Sequence, residues 1–75
     1  MEKRVLKILE DLDKNIPAYN GENLFDAGLL DSFQVIDLVS ALEDAFEIEI
    51  NPEEVVVENF ATPRAIVAFM RRILE

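Results

Sequence analysis

Seventy-five residues make one small domain at most, and 16 acidic residues against 7 basic ones leave a formal net charge of −9. With neither Cys nor His, the chain has no disulfide framework, no thiolate nucleophile, no imidazole base and no zinc site of the usual ligands. Its acidity repels phosphate backbones and anionic lipid, so nucleic acid and membrane are poor partners and a protein with a basic patch is a good one.

The charge is unevenly placed. Residues 1–14 balance Lys3, Arg4, Lys7 and Lys14 against Glu2, Glu10, Asp11 and Asp13, and residues 64–75 are net positive through Arg64, Arg71 and Arg72. Between them, Asn15 to Pro63 holds eleven carboxylates and no lysine or arginine at all. Solubility alone accounts poorly for so long a base-free stretch, which points to a docking surface. The longest apolar run, Ala65 to Met70, is far too short to span a bilayer. The basic residues near the start lead into an acidic amphipathic segment and not a signal peptide, so a cytoplasmic location is expected.

Val5, Leu6, Ile8, Leu9 and Leu12 recur at helical spacing and predict a first helix over Glu2 to Lys14, ended by Asn15 and Pro17. Ile16 to Asp31 reads as a long loop rich in turn residues, pegged to the core by Leu24, Phe25, Leu29 and Leu30. Asp31 suits an N-cap, with a second helix over Ser32 to Phe46 and an apolar stripe of Val35, Leu38, Val39, Leu42 and Phe46. Glu47 to Ile50 alternates at period two with no second strand to pair with, which predicts an extended connector.

Asn51 and Pro52 then form a cap followed by proline, with the Glu54 side chain placed to reach back to the cap. Val55, Val56 and Val57 resist helix, so the third element is expected to be short and marginal. Thr62 and Pro63 repeat the cap and proline pattern, and Ile66, Val67, Met70, Ile73 and Leu74 give the apolar face of a last helix with Arg71 and Arg72 in its final turn. The expected fold is all-α, a small four-helix bundle of three main helices and one short one, with a long loop between helices 1 and 2. The whole of residues 1–75 reads as a single domain.

Two chemistries are weighed and set aside. Asp11, Asp13, Asn15 and Glu22 match positions of a calcium-binding EF-hand loop, but Ile16 stands where the loop needs Gly and Pro17 follows it. No metal site is therefore expected. Ser32 has no imidazole to activate it, and so small a helical domain offers little room for a closed catalytic pocket, so no catalytic residue is assigned.

A third feature is the run from Leu24 to Phe33, Leu-Phe-Asp-Ala-Gly-Leu-Leu-Asp-Ser-Phe. By spacing alone it is a helix start with an ordinary cap. Followed by Val35, Leu38, Leu42-Glu43, Phe46 and Ile48-Glu49-Ile50, it resembles the acyl carrier protein family of phosphopantetheine-binding carriers, and the likeness covers nearly the whole chain. The doubled Leu of Gly-Leu-Leu-Asp-Ser, with Gln34 and Ser40 in place of residues usual in fatty-acid carriers, looks more like D-alanyl carriers and the aminoacyl or peptidyl carriers of biosynthetic clusters.

The resemblance implies a free-standing, monomeric carrier. Ser32, flanked by Asp31, would hold a covalent 4'-phosphopantetheine whose thiol bears acyl or aminoacyl cargo as a thioester. The implied partners are a phosphopantetheinyl transferase, an acyl- or aminoacyl-loading ligase and downstream transferases or synthases. Asp31, Asp37, Glu43, Asp44 and Glu47 would face them, with Glu54 and Glu58 extending the surface, and Phe33 either touches partners or covers the core. A negative charge on Ser32 would sit at the positive end of the helix dipole, and the missing Cys and His are explained if the reactive sulfur arrives with the cofactor. The rival reading is an unmodified acidic helical module that inhibits a basic protein.

Overall fold

The computed structural model describes residues 1–75 and contains α1 (Glu2–Leu12), α2 (Ser32–Phe46), a 3-10 turn (Pro52–Glu54), α3 (Val57–Phe60) and α4 (Pro63–Leu74), with no strand. The chain is all-α as expected. α1 packs against α2 and α4, and α4 also packs against α3.

The first helix ends two residues before the expected Lys14. Asp13 leaves helical geometry at φ −160° and its carboxylate accepts the N–H of Asn15 at 2.9 Å. A short acidic side chain that bonds the backbone two residues on competes with continuation of the helix. α2 has the expected bounds. Asp31 caps it by accepting the Gln34 N–H at 2.9 Å, and the Gln34 side chain accepts the Asp31 N–H at 3.1 Å, a reciprocal capping box. Gln34 thus closes the helix start.

The connector after α2 differs from expectation at its first residue. Glu47 is left-handed, φ 54° and ψ 50°, and the N–H groups of Glu47 and Ile48 both return to the Glu43 carbonyl. That geometry satisfies orphan carbonyls at the helix end. The third element is two pieces: the 3-10 turn closes after Glu54, Val55 and Val56 are non-helical, and α3 begins only at Val57. Branched side chains crowd the preceding turn of a helix, which places the break at the valines. The Glu54 side chain does not reach the cap either; Asn51 Oδ1 accepts the Glu53 N–H at 3.0 Å, and Glu54 bonds through its own N–H to the Asn51 carbonyl.

α4 starts as its cap and proline predict, with Thr62 Oγ1 accepting the Ala65 N–H at 3.0 Å. Its apolar face needs one correction. Leu74 is exposed, whereas Phe69 is buried and meets Phe60 with ring centroids 5.4 Å apart. The last turn extends past the core, while Phe69 lies over α3.

The core draws on every segment: Val5 and Leu9 from α1, Val35, Leu38 and Leu42 from α2, and Ile66, Val67, Phe69 and Met70 from α4. The long loop contributes Ile16, Leu24 and Leu30, all buried, and its Leu24 N–H donates to the Ala61 carbonyl. Tyr19 pins the same loop, its hydroxyl bonding both the N–H and the carbonyl of Asn23 at 3.0 Å. Gly21 allows the ring to lie there, since a Cβ on it would stand 2.4 Å from the Tyr19 hydroxyl oxygen. Arg4 ties α1 to the end of α2: its Nη2 donates to the Ala45 carbonyl and its guanidinium lies 4.5 Å from the Phe46 ring centroid.

Candidate functional site

Ser32 is the first residue of α2 and is exposed. The Asp31 carboxylate is committed to the Gln34 N–H, so it fixes the turn on which Ser32 stands. The amides of Ser32 and Phe33 have no acceptor within the chain, as expected of a helix start, where N–H groups and the dipole favour an anion.

Beside the hydroxyl lies a groove of about 310 Å³ in which Ser32 is the only polar lining residue. Its other walls are Phe25 from the loop, Val35 and Ile36 from α2, Val55 and Val56 from the break, and Val57 and Phe60 from α3. A neighbouring cleft of about 460 Å³ shares Val35, Ile36 and Val55 and continues toward Ser40, Glu43 and Ile50. The valine break, a nuisance for helix formation, therefore supplies the wall of a trough that runs along α2 from Ser32.

Phe33 is 79% exposed, so it does not cover the core. Ile36 is 66% and Val57 50% exposed, and Val56 is also exposed. Ile36 escaped the sequence reading, and Val56 and Val57 entered it only as residues that resist helix. Ile36 carried a usable signal, because it falls one turn after Ser32 and off the buried stripe of Val35, Leu38 and Leu42.

The carboxylates expected at the partner face are exposed but for Glu43. Asp44, Glu47 and Glu54 are exposed, Asp37 borders a cleft with Asp11 and Leu12 of α1, and Glu58 lies exposed on α3. Glu43 is half-buried, and its Oε2 accepts the Ile50 N–H at 2.7 Å, so this carboxylate also anchors the connector. All three salt bridges, Lys7 with Glu10, Lys7 with Asp11 and Arg71 with Glu2, lie on α1 and α4. Every carboxylate between Asn15 and Pro63 is thus without an ion-pair partner, and the field around Ser32 is uncompensated.

These residues fit a phosphopantetheine arm: a reachable hydroxyl, a helix start that tolerates a phosphodiester, and an apolar trough beside it. Comparison with known proteins agrees. Residues 3–70 match the family described as "Phosphopantetheine attachment site". The D-alanyl carrier protein of Abiotrophia defectiva is 35% identical over 74 residues, 96% of this chain and 94% of that protein. That of Lactobacillus acidophilus is 37% identical over 65 residues, 85% of this chain and 82% of that protein, and that of Bacillus mycoides 30% identical over 74 residues, 96% and 94%. The chain belongs to the phosphopantetheine-binding carrier proteins, the acyl carrier protein family, and its cofactor is a covalently bound 4'-phosphopantetheine.

Proposed function

We propose that Ser32 is the attachment residue and that residues 1–75 act as a single, monomeric aminoacyl carrier domain working in the cytoplasm. One observation carries this reading: Ser32 is exposed on a capped helix start at the mouth of an apolar groove, with only unpaired carboxylates along the stretch around it. A phosphopantetheinyl transferase joins the Ser32 Oγ to the pantetheine-side phosphorus of coenzyme A. The hydroxyl proton passes to a base of the transferase as the pyrophosphate link breaks and the adenine nucleotide departs. The thiol at the end of the arm then accepts cargo from a loading ligase, and downstream transferases remove it.

The names of the relatives support an amino acid, D-alanine or one like it, as the cargo. The chain contributes presentation, and the bond-making groups belong to its partners. Asp37, Asp44, Glu47, Glu54 and Glu58 steer basic patches toward Ser32, mainly by raising the encounter rate, and Phe33 and Ile36 offer the apolar contact at the centre of that face.

The test is incubation of the apo-protein with coenzyme A and a broad-specificity phosphopantetheinyl transferase, followed by mass spectrometry. One phosphopantetheine per chain is expected, and none on Ser32→Ala. Equal gain by both proteins, or none by either, overturns the proposal, and the latter result favours an unmodified interaction module. Loading of the holo-protein by a D-alanine ligase, detected as a hydroxylamine-labile thioester, tests the cargo separately.

A further inference from the structure

The α3 wall of the groove at Ser32 is the least self-sufficient part of the fold. α3 is a single turn, too short to persist alone because helix nucleation is unfavourable, and its cap residue Val56 makes no side-chain hydrogen bond. Three contacts hold it. Phe60 is buried against Phe69 of α4, and the Ala61 carbonyl accepts the Leu24 N–H at 2.6 Å. The third is a side-chain bracket. Asn59 Nδ2 donates to the Glu54 carbonyl at 2.7 Å, and Asn59 Oδ1 accepts from Arg72 Nη2 at 3.1 Å.

A carboxamide donates and accepts at once, so Asn59 joins the 3-10 turn ahead of the valine break to the last turn of α4. Arg72 is held there in turn, its guanidinium 5.8 Å from the centroid of the Phe69 ring, which packs on Phe60. The chain Glu54, Asn59, Arg72, Phe69, Phe60 therefore closes around the break and returns to the groove wall. Neither Asn59 nor Arg72 lines the groove; each acts through Val55 to Phe60.

We propose that Asn59 and Arg72 are positioning residues, which hold the Val55 to Phe60 wall at the spacing from α2 that partner enzymes read around Ser32. This rests on Ser32 as the attachment residue. When the bracket is lost, the competent surface is populated for a fraction of the time and apparent affinity falls by that fraction. The Ser32 hydroxyl itself is carried by the separately capped α2, so the chemical step is unaffected.

The experiment uses the full-length apo-protein with Asn59→Ala, Asn59→Asp and Arg72→Ala, measuring amide exchange and steady-state modification by a broad-specificity transferase with coenzyme A. Asn59→Ala is expected to speed exchange at the hydrogen-bonded amides of Val55, Val56 and Leu24, which tie the break and the end of α3 in place, about tenfold while α2 stays unchanged. It should raise the KM for the carrier about twofold with kcat unchanged, for a wall that is open about a tenth of the time in the wild type. Asn59→Asp keeps the acceptor for Arg72 but loses the donor to Glu54, and Arg72→Ala does the reverse, so both fall between wild type and Asn59→Ala. A wild-type KM overturns the proposal whatever the exchange rates, as does a KM rise with wild-type exchange at those amides or with equal acceleration in α2. Failure of the wild-type protein to be modified at all would strike the Ser32 reading instead, and the exchange data, which need no transferase, then decide the bracket alone.

Discussion

Glu47 and Asp31 show how a single residue at the edge of α2 serves stability and recognition separately. Glu47 sits in the left-handed region, where a residue with a Cβ is penalised by roughly 1–2 kcal/mol and glycine is not. Glu47→Gly is expected to raise the melting temperature by roughly 4–8 °C, for a net gain of about 1 kcal/mol in a domain of this size. The same change removes a carboxylate from the proposed partner face, so association with a basic partner should slow; calorimetry and stopped-flow binding read the two effects apart. Asp31→Ala removes the cap and is expected to lower stability by about 1 kcal/mol in a denaturant titration. Asp31→Asn retains a capping oxygen and should stay within a few tenths of a kcal/mol of wild type.

The elements differ in how they are held. α2 has a reciprocal cap, a closed C-terminus and three buried residues, whereas α3 is one turn with Phe60 as its only buried side chain. Amide exchange at Val57 to Phe60 is accordingly expected to be faster than in the middle of α2, and equal protection would contradict that ranking. On α1, hydrogen bonds from Lys7 to Asp11 and then Glu10 raise its pKa above the ordinary 10.5. A raised lysine favours the folded state below its unfolded pKa and loses that contribution as pH climbs through the folded value. Because Lys7 and its two carboxylate partners are largely exposed, Lys7→Ala should leave the melting temperature nearly unchanged at neutral pH.

For the whole molecule, the charge is segregated by element. All seven basic residues belong to α1, the residues just after it and α4, and the α2 to α3 half carries only acids. Repulsion within that half opposes folding and is screened by salt over a Debye length of about 10 Å at 0.1 M. Raising sodium chloride from about 20 mM to about 0.5 M is therefore expected to raise the melting temperature and to slow association with a basic partner. A melting temperature that falls or stays level would show that repulsion is not what limits stability.

The sequence by itself determined the helical class, the bounds of α2, the caps at Asp31 and Thr62, the pegs of the long loop and the candidate serine. These rest on spacings of a few residues and on short cap and turn patterns, which a chain expresses locally. Ile36 lies off the buried stripe of α2 and Phe69 lies on the stripe of Ile66, Met70 and Ile73, both legible at helical spacing. Tertiary structure alone decided that Val57 and Leu74 face outward, because that depends on where α3 and α4 dock. It likewise decided that Glu43 anchors Ile50, that Arg4 seals α2, and that Asn59 meets both Glu54 and Arg72. Hydrogen bonds and packing between segments depend on how the helices dock, and docking is settled by the shape of the shared core and not by any one segment's pattern.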